Sequence, residues 1–194
     1  MPVDPNDGQV YLLESGLRFG PFHPDRVWEL EASPLYVGLA GNSQPKAVEA
    51  VVYRHFRGKD PRIVFLEAKS SAPWGPRPGD SPDDRRAKAE AVERFDQEIC
   101  DKLLHSLHLW LGAAHGWWPG VPLPAKLTVD AAPMNAVELC LVLVVSGFRD
   151  PEACEQLYNR LNPRVQRLAV SLPKRRFEFK VLNEATARVN RWCT

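Results

Sequence analysis

The stretch Ile63–Pro73, IVFLEAKSSAP, decides how this chain is read. Four large apolar residues lead into Glu67, and Lys69 follows two positions later. In a strand, residues i and i+2 point to the same face. Glu67 and Lys69 are therefore expected side by side, with Leu66, Ala68 and Ser70 on the other face. A carboxylate and an ammonium at the end of an apolar strand are costly to bury unless they are paired or bound to something. Glu49 lies eighteen residues upstream, in the β-rich run Ala47–Phe56 (AVEAVVYRHF). The intervening Arg57-Gly58-Lys59-Asp60-Pro61 has the composition of a hairpin turn, so the two runs are expected to pair.

Two carboxylates converging from adjacent strands are what a hard cation such as Mg²⁺ or Mn²⁺ needs, the other positions going to water and phosphate oxygens. The backbone carbonyl of Ala68 is a further ligand position in such a site. Lys69 would orient or deprotonate an attacking water and offset charge on a phosphate. A plainer reading stays open: Glu67 and Lys69 as an ion pair on an edge strand, and Glu49 as an exposed hairpin residue.

Outward from this pair of runs, the pattern alternates between strand and helix. Val10–Phe19 reads as a short strand. Asp25–Leu39 has Val27, Leu30, Leu35 and Leu39 near helical spacing and predicts a helix, interrupted at Pro34. Ser70–Asp84 holds four prolines and two glycines in fifteen residues, a surface loop rather than a domain linker. Asp84–His115 carries an apolar stripe of Val92, Phe95, Ile99, Leu103 and Leu107 and predicts a long helix. Lys102 shares a face with Phe95, Ile99 and Ser106, pointing inward to the site or pairing with Glu98 four residues back. Val137–Phe148 (VELCLVLVVSGF) is an unbroken apolar run with β-branched content, as in a central strand covered on both faces. A helix over Pro151–Val170 and a strand over Phe177–Leu182 complete an α/β reading: one domain spanning 1–194, a mixed sheet flanked by helices.

Glu49, a turn, then Glu67-Ala68-Lys69 resembles the signature of the PD-(D/E)XK nuclease superfamily, an acid followed on the next strand by acid-x-Lys. The segment EAKSSAP followed by a long helix also resembles a group of small bacterial proteins that share an EAKSS-x-P stretch. The chain departs from the signature in having Val48-Glu49 where the superfamily usually has Pro-Asp. The resemblance implies a restriction-endonuclease-like fold with an α-β-β-β-α-β core and a metal-dependent nuclease acting on DNA. Its metal ligands would be Glu49, Glu67 and Ala68, its catalytic residues Lys69, Glu67 and Glu49. Superfamily members often add an acid from the first helix; Glu31 in WELEAS is the residue expected there, with Glu29 as its alternative. A non-catalytic module of the same fold, binding a protein or nucleic acid in a larger assembly, is the second reading.

The bulk composition is that of a folded globular protein, 44% hydrophobic and 25% charged with a net charge of +1, which excludes a disordered chain. The charge is uneven. Residues 160–194 hold nine Lys or Arg against Glu178 and Glu184, about +7, which leaves about −6 for the rest. Arg160–Arg191, with Lys174, Arg175 and Arg176 at its centre, is accordingly expected to form a positive flank beside the site. The four cysteines show no CxxC or Cys/His spacing, which excludes a zinc pattern. His105 and His108 stand at i, i+3 without further ligands. No GxSxG, GxxxxGK[ST] or GxGxxG occurs, against serine hydrolase, NTPase and Rossmann chemistry. Residues 1–10 are polar and no apolar run nears the ~20 residues of a membrane span, so a cytoplasmic, reduced protein without a secretory leader is expected.

Overall fold

A computed structural model describes residues 8–39, 45–128, 130, 136–169 and 177–194. Five strands form the main sheet in the order β3 (Val27–Glu29), β4 (Ala50–Arg54), β5 (Arg62–Lys69), β6 (Glu138–Val145) and β7 (Phe177–Asn183). The first three run antiparallel and the last three parallel, so the sheet is mixed. β1 (Val10–Glu14) and β2 (Leu17–Phe22) form a separate hairpin. The remaining helices are α1 (Pro34–Gly38), α2 (Pro82–Ala114), α3 (Pro151–Leu168) and α4 (Glu184–Val189).

The alternation along β5 divides the core. Ile63 and Phe65 face α2 and α3, together with Val51, Leu141 and Leu143. Val64, Leu66 and Ala68 face the β1–β2 hairpin and α4. The mixed α/β architecture expected from the sequence is therefore present, with both long helices on one face of the sheet. α2 begins where its chemistry dictates: Ser81 caps it by accepting from the Asp84 amide, Pro82 opens the first turn, and Asp83 and Asp84 face the helix's positive end. It is fixed to the sheet by Trp110, whose ring meets Phe65 edge-on at 6.1 Å and whose Nε1 donates to the Leu127 carbonyl.

Two expectations are overturned. Asp25–Leu39 is not a helix: Val27–Glu29 pairs with β4, and only Pro34–Gly38 is helical. Apolar residues at near-helical spacing misled because β3 is defined by its partner, through the register Val27↔Val52 and Trp28↔Val51. Pro34 starts α1 rather than breaking a longer helix, with Ser33 as its N-cap. Val10–Phe19 is not one strand but most of a hairpin, turning at Ser15-Gly16, where both residues have positive φ (51° and 77°). The order around the first helix is therefore β-α-β-β-α-β, with β3 ahead of α1.

Four members of the expected positive flank are paired within the chain. Arg160 pairs with Asp96, Arg164 with Glu93, Lys180 with Glu178 and Arg188 with Glu184, so these charges are largely spent within the chain. Lys174, Arg175 and Arg176 lie outside the described residues, as does Val170 at the end of the expected second long helix. No described helix is long and apolar enough to cross a membrane.

Candidate functional site

The β4–β5 register pairs Ala50 with Leu66 and Val51 with Phe65; carried one step further it sets Glu49 opposite Glu67. Glu49 is not inside the strand, as expected, but immediately before it. Its position is fixed on both sides: the Val48 amide donates to Ser106 Oγ of α2 at 2.8 Å, and the Glu49 carbonyl accepts from the Leu30 amide at 3.0 Å. β4 pairing stops at Leu66, which leaves Ala68 with β6 as its remaining sheet neighbour through Val144. Lys69 ends β5, its carbonyl held by the Ser146 amide at 2.9 Å. One residue on, the Ser70 carbonyl accepts from the Gly147 amide.

The acids meet around a side chain that the sequence left between two assignments. Lys102 of α2 points inward: its Nζ lies 3.0 Å from Glu67 Oε1, 3.3 Å from Glu31 Oε1 and 3.7 Å from Glu49 Oε1. Glu98, the alternative partner of Lys102, instead accepts from Lys69 Nζ at 2.5 Å, and Lys69 also lies 3.2 Å from Glu67 Oε1. The structure thus brings Glu31, Glu49, Glu67 and Lys69 into one cluster and adds Lys102 and Glu98. Glu31 reaches it from the turn between β3 and α1, not from a helix. Glu29 and Glu14 join Glu31 and Glu49 in lining a cavity of about 230 Å³ beside the cluster. Glu14 was not singled out from the sequence, since only the hairpin fold brings it here.

The electrostatics follow from burial. Glu67 is 1% exposed. Burial pushes its carboxyl up to about 7, against the pull of Lys102 and Lys69. Burial, then repulsion from Glu67, pushes Glu49 up to about 8, again opposed by Lys102. For Lys102 and Lys69, burial favours the neutral amine, but the surrounding carboxylates outweigh it and hold both ammoniums well protonated. At neutral pH the cluster therefore holds two firm positive charges, with Glu49 and Glu67 readily taking up protons.

This sets a pH dependence of stability. A carboxyl whose folded pKa exceeds its unfolded value stabilises most fully below about 4.5, and that contribution is lost as pH rises toward about 8. Glu49→Gln is expected to match wild type near about pH 5 and to exceed it by about 1–2 kcal/mol at about pH 8–9. Urea unfolding across pH measures this; parallel stability curves for the two proteins would show that Glu49 carries no such shift.

Oxygen donors of negative charge suit Mg²⁺ or Mn²⁺. Buried Glu67 Oε1, which has no well-directed hydrogen bond, keeps capacity for one more partner. Among the described residues no group of three His, Cys, Asp or Glu is arranged to hold a metal ion. The point on which the glutamates converge carries the Lys102 ammonium instead. A cavity of about 720 Å³ lies elsewhere, lined by Trp74 and Phe148 and by none of these carboxylates. Compared with family models, curated proteins and solved structures, the chain gives no significant match.

Proposed function

We propose that the protein is a metal-dependent nuclease that hydrolyses DNA phosphodiester bonds, with Glu49 and Glu67 as the metal-holding carboxylates and Lys69 as the catalytic amine. The observation that carries this reading is the placement of Glu49, immediately before β4, opposite Glu67 of β5, with Lys69 Nζ 3.2 Å from Glu67 Oε1. When bound, Mg²⁺ or Mn²⁺ would polarise a phosphate oxygen and lower the pKa of a water. Glu31 adds a third carboxylate at the rim, and the Ala68 carbonyl is a further ligand position. Glu98 fixes Lys69 by a hydrogen bond, so the ammonium is already placed to offset negative charge on a phosphate. Four unpaired cysteines, all buried, suit a cytoplasmic, reducing setting.

One observation favours the second reading, a non-catalytic module that binds a protein or nucleic acid in a larger assembly. Lys102 already compensates the carboxylates from within, so the cluster is balanced with no cation added.

Cleavage of single-stranded, duplex and branched DNA with Mg²⁺, Mn²⁺ or EDTA separates the two. Wild type is expected to cut only with metal. Lys69→Ala should lose at least about tenfold in rate with metal binding kept, whereas Glu67→Gln should lose metal binding as well. If wild type cuts none of the three substrates, or Lys69→Ala cuts as fast as wild type, the enzyme reading fails and the binding module leads.

A further inference from the structure

At the other end of β4, about 17 Å from Glu49 along the strand, the charge is reversed. A cavity of about 400 Å³ opens between the end of β2, the residues leading into β3, the end of β4 and the segment after α4. Its wall carries Arg26, Arg54, Arg191, His23 and His55, and no acid among the described residues. The nearest carboxylate, Asp25, is held by His23 Nδ1 at 2.5 Å and stands 3.8 Å from Arg26 Nε. With that carboxylate counted against the three arginines, an excess of two positive charges remains among the described residues.

These charges come from residues far apart in the chain, and the fold holds them together at a cost. The Arg54 guanidinium lies between two rings, 4.0 Å from the Trp192 centroid and 4.9 Å from that of Phe56. It donates to the carbonyls of Asn190 and Arg191 and forms no ion pair with an acid among the described residues. Burial, and then the neighbouring Arg191, lower its pKa to about 10. Arg191 itself is exposed, sits at a φ of 58°, and forms no ion pair among the described residues. Like charges gathered in a concave, partly aromatic site, with Asp25 alone among the described acids set against them, are complementary to an anion of matching charge.

We propose that this cavity is an anion site that binds the phosphate group of a nucleotide, either free or within a nucleic-acid strand. Arg54 is the fixed floor of the site, clamped by its rings and carbonyl contacts. Arg26 and Arg191 are the adjustable walls that close on phosphate oxygens. Phe56, 45% exposed at the rim, supplies an apolar surface beside them for the sugar or base. The assignment is independent of the nuclease reading, because none of its residues belongs to the Glu49–Glu67 cluster.

The test is titration calorimetry of the full chain, without metal, with pyrophosphate, adenosine 5′-monophosphate and a short single-stranded oligonucleotide. Wild type is expected to bind at least one of these. Arg26→Gln and Arg191→Gln, both at exposed positions, should each weaken that binding at least tenfold. Arg86→Gln, which removes an exposed charge from α2, should leave it unchanged. Binding of the small probes identifies a free phosphate as the source, and binding of the oligonucleotide alone identifies the strand backbone; both support the site. No binding of any probe, equal binding by the two cavity variants and wild type, or an equal loss from Arg86→Gln overturns it. Because cleavage is not measured, loss of the nuclease reading leaves this result standing, and the reverse is also true.

Discussion

Lys102→Met is expected to lower folding stability by about 3–5 kcal/mol at about pH 8, the range found when one partner of a buried ionic cluster is removed. Methionine conserves much of the volume, so the loss reports charge rather than a cavity. The ammonium lies 3.0 Å from Glu67 and within 4 Å of Glu31 and Glu49; without it, Glu49 has no cationic partner among the described residues and Glu67 keeps only Lys69. The sign with pH follows. Removing a positive neighbour raises the already elevated pKa values of Glu49 and Glu67 further, so the variant's deficit should shrink toward about pH 5, where both are protonated. A divalent cation supplies the missing positive charge, so Mn²⁺ or Mg²⁺ should recover part of the loss in the variant and less in wild type. Urea unfolding at two pH values, with and without metal, measures all of this. A variant as stable as wild type at about pH 8 would show that Lys102 does not balance the cluster.

Gly147→Ala is the second large effect expected, about 2–4 kcal/mol. A Cβ on Gly147 would stand 2.4 Å from the Ser70 carbonyl oxygen, the atom that accepts the Gly147 amide's own hydrogen bond. Neither backbone can withdraw without opening the β5–β6 ladder one residue past Lys69. The substitution should therefore disturb the site as well as the fold, and any metal-dependent cleavage should fall with it. Thermal unfolding of the variant decides the matter: a midpoint within about 2 °C of wild type would mean that the strand ends relax freely.

The parts of the fold legible in the sequence are those whose signal is local. β5 announces itself because an apolar run ends on two charges at strand spacing, and α2 because its stripe continues over many turns behind a Ser-Pro-Asp-Asp start. β6 is legible as an unbroken apolar run with β-branched content, as in a central strand covered on both faces. β3 is not, because three residues become a strand only through β4, and nothing in Val27-Trp28-Glu29 names that partner. The Ser15-Gly16 turn does carry a local signal, a Ser-Gly dipeptide inside the Val10–Phe19 run. In the site, Glu49, Glu67 and Lys69 were visible as a spacing. The place of Lys102 was only half visible: its face with Ile99 and Ser106 was clear, but whether the ammonium met Glu98 or Glu67 depends on how α2 crosses the sheet. The arginine cavity could not be read at all, since Arg54 and Arg191 are 137 positions apart in sequence.

The second face of the sheet has a history built into it. Hairpin β1–β2 covers that face only in company with residues 187–194: the Gly20 amide donates to the Trp192 carbonyl, the Thr194 amide to the Arg18 carbonyl, and Phe19 bridges Cys193. During synthesis the hairpin emerges before the five-stranded sheet, and the segment that fastens it emerges after that sheet. Until residue 194 has left the ribosome, Val64, Leu66, Val142 and Val144 lack part of their cover. This half of the core is thus completed by a closure between residues 18–20 and 192–194, one of long sequence separation, which is slow to form relative to local contacts.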